Sequence, residues 1–141
     1  MATSQHSAIR DALKTVFTNA GHTWFSYNPG ARANSREFGY FNEVTSSQEF
    51  FDLAGTREET LTINGTIRVV KPGASDADAK AAEDAALAIL DDLETSLTTD
   101  PTLSNAGFQV ELVGPNITEV FPSDNTRDCL LDFVLSATVI L

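Results

Sequence analysis

EETLTINGTIRVVKPG, residues 58–73, is the stretch whose reading decides the fold. Leu61, Ile63, Ile67 and Val69 occupy odd positions, with Thr60, Thr62, Asn64, Thr66 and Arg68 between them. Successive side chains on a strand point to opposite faces, so this alternation predicts a half-buried strand. Asn64-Gly65 within it is otherwise a strong hairpin signal. A two-residue turn there would oppose Leu61 to Arg68 and Thr62 to Ile67, mixing apolar and polar groups on both faces. Parity therefore favours one continuous strand. A three-residue loop over residues 64–66 also keeps the parity, but it places Gly65 in the middle instead of at the left-handed third position.

Downstream of Lys71-Pro72-Gly73, Ser75 stands three residues before Asp78, a capping box with the shorter acid in place of Glu. At 100° per residue, Ala79, Ala82, Ala86, Ile89, Leu90, Leu93 and Leu97 form one stripe that predicts a helix packed on the strand's apolar face. Glu83, Asp84, Asp91 and Glu94 lie opposite, with Leu87 as an apolar residue among them. The helix closes at Asp100-Pro101-Thr102-Leu103.

To either side the pattern is shorter. Residues 4–20 predict a first helix through Ile9, Leu13, Val16, Phe17 and Ala20, ended by Gly21. Residues 23–27 predict an aromatic strand stopped by Asn28-Pro29-Gly30. Phe38, Tyr40 and Phe41 suggest one strand and Phe50, Phe51 and Leu53 another, with polar loops around Ser35 and Ser46. Phe108, Val110 and Leu112 alternate as a strand, Gly114-Pro115-Asn116 turns, and residues 117–121 continue or return. Leu131, Phe133, Leu135, Ala137, Val139 and Leu141 complete a terminal strand. This order predicts a single α+β domain over residues 1–141, an antiparallel or mixed sheet carrying the N-terminal helix and the long second helix.

The chain has 141 residues, 42% hydrophobic and 21% charged, with a formal net charge of −11. That is enough chain for a core without staples. The positive charges, Arg32, Arg36, Arg57, Arg68, Arg127 and the lysines among them, are scattered in sequence, so nucleic-acid binding through phosphate contacts is disfavoured. Cys129 is the single cysteine and opens an apolar run, which predicts a buried inert thiol in a reducing compartment. No signal peptide or membrane span is expected.

The search for chemistry is largely empty. His6 and His22 lack ligands at zinc spacing, and no Gly-x-Ser-x-Gly elbow or phosphate-cradling loop is present. The stretch 124–128 begins like a calcium loop, but Cys129 stands where such loops need Gly and Leu135 where they need Glu. No cofactor or metal is expected. Residues 76–100 hold eight acids against Lys80 alone. Asp91, Asp92 and Glu94 lie at the helix's negative end, where they do not stabilise it. They form either a solvated face or a functional negative surface.

The run Glu58-Glu59-Thr60-Leu61-Thr62-Ile63 through Ile67-Arg68-Val69-Val70 and Pro72-Gly73, the Ala- and acid-rich helix ending in Asp-Pro-Thr-Leu, and the terminal alternating strand resemble the tail terminator proteins of long-tailed, non-contractile bacteriophages. The likeness covers about residues 58–141 in element order; members often follow Asp-Pro-Thr-Leu with glycines, where this chain has Ser104-Asn105-Ala106-Gly107. The resemblance implies a non-enzymatic virion protein, assembled in the host cytoplasm. It would form a homo-hexameric ring that ends tail-tube growth and docks on the head connector or stopper protein. DNA would be met only in transit and no membrane would be involved. On that reading the loops at residues 28–37 and 122–128, with Arg32, Arg36 and Arg127, are docking candidates. Leu87 is a candidate subunit contact, and Glu83, Asp84, Asp91 and Glu94 are candidates for the channel wall. The rival readings are a small cytosolic enzyme or ligand-binding domain with a site around His22, Trp24 and Tyr27, and an acidic mimic of nucleic acid.

Overall fold

A computed structural model describes residues 4–30, 36–50, 57–103, 107–123 and 125–140. Two helices and a six-stranded mixed sheet follow one another as α1 (His6–Asn19), β1 (Trp24–Phe25), β2 (Glu37–Phe50), β3 (Arg57–Pro72), α2 (Asp76–Thr99), β4 (Gln109–Leu112), β5 (Ile117–Ser123) and β6 (Thr126–Ile140). The fold is α+β, as the element order predicts. Across the sheet the order is β1-β2-β3-β6-β4, with β5 also on β6. The β1–β2 pair is parallel and every other pair antiparallel.

β3 is one uninterrupted strand through Asn64-Gly65, with β2 on one side and β6 on the other. Gly65 is there for packing and not for a turn: it faces Phe133 across the pair, and a Cβ on it would overlap the Phe133 ring. Leu61, Ile63, Ile67 and Val69 join Cys129, Leu131, Phe133, Leu135 and Ala137 of β6 on one face. Ile9, Leu13 and Phe17 of α1 and Ala82, Ala86, Leu90, Leu93 and Leu97 of α2 close the same core over them. Cys129 is buried as expected, and burial, reinforced by the charge of Glu83, pushes its thiol pKa up to about 11.

Several local expectations are corrected. The segments around Phe38 and Phe50 are a single strand, β2, with Ser46 inside it; Phe51 and Leu53 lie outside the described residues. Asn42 and Glu43 together oppose Asn64 in a bulge, which shifts the parity of β2 and hides the strand pattern. Of the two courses expected after residues 114–116, the chain takes the first: residues 117–121 continue along the strand instead of returning. β4 and β5 both run antiparallel to β6, and four residues (113–116) on their side oppose two (133–134) on β6. Only Trp24 and Phe25 of the aromatic segment are strand. Leu141 lies outside the described residues.

The other face of the sheet is not uniformly wet. Phe38 is buried on it, stacked with Tyr40 and edge-on to Phe25. Elsewhere it carries hydroxyls: Thr45, Ser47, Thr60, Thr62, Ser136 and Thr138. Among the described residues no helix covers it, and none is long and apolar enough to cross a membrane.

Candidate functional site

Strand register gathers what the sequence scatters. Glu37 pairs with Val69, Val69 with Cys129 and Lys71 with Arg127, so Arg36, Arg68, Lys71 and Arg127 come to one end of the sheet. The expectation of dispersed positive charge is therefore wrong for four of the nine Lys and Arg residues. Residues far apart in sequence become neighbours through antiparallel pairing. The end is not strongly positive, however. Arg68 meets the buried Asp128 at 2.8 Å and Lys71 meets Glu37 at 3.4 Å.

The docking candidates differ from one another there. Arg36 is exposed, and its backbone carbonyl accepts the Val70 N–H at 2.8 Å. Arg127 is half-buried, and its Nη2 donates to the Ala74 carbonyl at 2.7 Å, tying the start of β6 to the loop before α2. It is an anchor for that loop as well as a charge. Arg32 lies outside the described residues. Asn28, Phe38, Tyr40, Arg68, Phe121 and Leu130 border a hollow of about 300 Å³ at this end, on the hydroxyl-bearing side of the sheet. Asn28, which opens one candidate loop, and Phe121, which directly precedes the other, thus border the same hollow.

On α2, Asp84, Asp91 and Glu94 are exposed. Glu83 departs from the expected solvated face. It is half-buried at the flank of the core, where its carboxylate accepts a hydrogen bond from Thr118 Oγ1 at 3.1 Å. Asp92, on the opposite flank, meets His22 Nε2 at 2.6 Å. The helix start is capped as the sequence predicts: Ser75 Oγ accepts the Asp78 N–H and Asp78 reaches back to the Ser75 N–H. These bonds from Ser75 hold the Asp78 carboxyl below its ordinary pKa. Leu87 is 38% exposed. It lies one turn beyond Glu83, on the side facing β5, and about two turns before Glu94, which borders a hollow with Gln109 and Glu111 of β4.

The aromatic segment does not assemble into one site. His22 and Trp24 border a cavity of about 200 Å³ with Glu37 and Ile89, which is smaller than common ligand pockets. Tyr27 stands apart, 61% exposed beneath the Arg10 guanidinium. Among the described residues no cluster of three or more His, Cys, Asp or Glu is arranged to hold a metal.

Two polar features escape a sequence reading. Glu59 is fully buried on the core face of β3, where it accepts hydrogen bonds from Ser4 Oγ (2.7 Å), the Gln5 N–H (2.9 Å) and Gln48 Nε2 (3.1 Å). Burial pushes its pKa up, but the bonds from Ser4, Gln5 and Gln48 outweigh it and hold the carboxyl below the ordinary glutamate value. Asn42 Nδ2, Thr66 Oγ1 and Asp132 Oδ1 form a chain of 2.7 Å bonds across β2, β3 and β6 on the other face. An acid at odd parity in residues 58–73 was the one available signal for Glu59.

Comparison with models of known protein families gives no match, and comparison with curated proteins gives no relative of significant similarity.

Proposed function

We propose that the chain is a phage tail terminator: a structural subunit that forms a ring, ends tail-tube growth and joins the tail to the head connector. The reading rests on one observation. The element order behind the resemblance is the order of the folded chain: a continuous β3, a capped acidic α2, closure at residues 100–103 and a long terminal β6. Asp-Pro-Thr-Leu has a definite part in that closure. Asp100 caps α2, and Leu103, left-handed at φ 52°, turns its side chain into the core. The Pro101 carbonyl then accepts the Val110 N–H at 2.9 Å, which fixes where β4 begins.

Segregated charge supports the same reading. Asp84, Asp91 and Glu94 give α2 an outward acidic surface, suited to a channel wall past which DNA moves without sticking. The opposite course, burying these carboxylates between subunits, costs several kcal/mol per unpaired charge. The end of the sheet carrying Arg36 and the loops at residues 28–37 and 122–128 is the docking end for tube or connector. The test is negative-stain microscopy of the purified protein alone and mixed with tail tubes. Rings and capped tubes of uniform length are expected. A protein that stays monomeric at high concentration and neither caps nor shortens tubes is not a terminator.

A further inference from the structure

We infer that copies of this chain join head to tail through side chains at one level of the sheet, Tyr27 of one copy seating on the apolar patch of Leu87, Val113 and Ile117 on the next. The inference rests on the ring-forming reading above and names the surfaces that would close such a ring.

Among the described residues four large hydrophobics are exposed: Tyr27 at 61%, Ile117 at 59%, Val113 at 49% and Leu87 at 38%. Apolar groups gathered in a patch mark an interaction site, whereas scattered single ones mean little. Three of the four gather on one side of the molecule. Ile117 opposes Asp132, and the Val113 N–H donates to the Val134 carbonyl at 3.0 Å, so the two meet β6 at neighbouring rows. Leu87 reaches the same place from α2. Glu83 is held at Thr118, which opposes Leu131, and past the helix end Pro101 meets Val110, which opposes Ala137. One turn beyond Glu83, Leu87 therefore stands level with residues 132–134 of β6.

Tyr27 stands at the same level on the opposite side. β1 runs parallel to β2 with Phe25 against Tyr40, so Tyr27, two residues on, comes level with Asn42. Arg10 fixes it there: its guanidinium lies 4.6 Å from the Tyr27 ring centre and donates to the carbonyls of Ser26 (2.9 Å), Phe41 (3.3 Å) and Asn42 (2.6 Å). Following the registers across the sheet, Tyr40 lies in one row with Thr66, Asp132 and Ile117, and Phe41 in the next with Gly65 and Phe133. Asn42, in the bulge, opposes Asn64, which opposes Val134. Copies in a ring are related by rotation alone, so the two halves of a heterologous contact must share one level along the axis. For an axis along the strands, Tyr27 and the patch do.

Charge decides which surface meets which. The exposed carboxylates Glu111 and Glu119 bracket the patch, so two patches set face to face would bring like charges together. The Tyr27 side carries cations instead, Arg10 beneath the ring and the exposed Lys14 one turn further along α1. Burial of the apolar side chains supplies the attraction and these charges supply the direction. Tyrosine suits the seat, because its rigid ring buries a large area at little entropic cost while its hydroxyl can stay at the wet rim. No backbone group of β4 takes part, and the Val110 N–H stays with the Pro101 carbonyl.

Cysteines on separate copies test it. Tyr27→Cys mixed with Val113→Cys or Ile117→Cys should give disulfide-linked pairs of unlike copies on mild oxidation, and no variant alone should link. The order β1-β2-β3-β6-β5 puts the two sides about 19 Å apart at roughly 4.8 Å per strand, so a double variant cannot close on itself and should give a ladder of multimers. Tyr27→Ser and Ile117→Asp should each raise the concentration at which rings form about tenfold or more, with circular dichroism unchanged. Mixed together, these two variants should stop at dimers, because one sound contact survives in each unlike pair. Dimers from Ile117→Cys alone, forming as readily as the mixed pairs, would show patch meeting patch and overturn the proposal. Rings that form and cap tubes while no cysteine pair links, or while Tyr27→Ser assembles like the parent, would overturn this contact and leave the terminator reading standing. Ladders from a protein that never caps tubes would do the reverse, and a chain that stays monomeric and never links overturns both.

Discussion

At the scale of the residue, Glu59 carries the clearest consequence. Its carboxylate gathers the chain before α1 onto β3, so Glu59→Ala should cost about 1–3 kcal/mol by orphaning the donors of Ser4, Gln5 and Gln48. Its pKa is depressed in the folded protein, so its stabilisation is present above the unfolded value of about 4.3 and is lost as pH falls through the folded value. Urea unfolding between about pH 6 and pH 3 should show this loss, and Glu59→Gln should flatten the slope. An unchanged slope in the variant would assign the acid sensitivity to other carboxylates. Gly65→Ala forces a Cβ into the Phe133 ring and should destabilise by about 1–3 kcal/mol, whereas a glycine needed only for a turn would spare the core. Arg36→Glu is the clean probe of docking, with fewer joined particles and unchanged stability expected. Arg127→Glu should also lower the melting temperature, because it removes the bond to Ala74.

At the scale of the element, α2 was legible and β2 was not, for physical reasons. Ser75 and Asp78 sit three apart and the apolar stripe repeats at helical spacing, so local sequence specifies where α2 starts and which way it faces. Ser75→Ala should cost about 1 kcal/mol in denaturant unfolding, and no loss would mean that packing alone fixes the helix start. β3 was legible because burial on one face enforces parity over its whole length. β2 combines a bulge, which breaks parity, with an edge position that tolerates Thr, Ser and Gln on either face. Its pairing is written in β3, out of reach of any window on residues 37–50. The gathering of Arg36, Arg68, Lys71 and Arg127 and the pairing of His22 with Asp92 are likewise products of register and packing, invisible in linear spacing.

At the scale of the whole molecule, charge would set the conditions of the proposed assembly. With a net charge of −11, copies repel at low salt, where the screening length is about 30 Å at 0.01 M against about 10 Å at 0.1 M. Sedimentation velocity should show self-association strengthening as sodium chloride rises over that range. Weakening instead would mean that ion pairs hold the contact. The layering of the fold adds a stricter condition. Both helices cover one face of the sheet and, among the described residues, no helix covers the hydroxyl-bearing face, so a ring of such subunits would have two chemically unlike skins. With α2 turned inward, the bore draws a cloud of small cations and the threonine and serine surface becomes the outer rim. Turned inside out, the bore is nearly neutral and the acids meet the surrounding solution. No single arrangement puts both surfaces along the path of DNA, so labelling Asp91→Cys and Thr62→Cys in assembled rings with a reagent too large to enter the bore should mark one skin and spare the other.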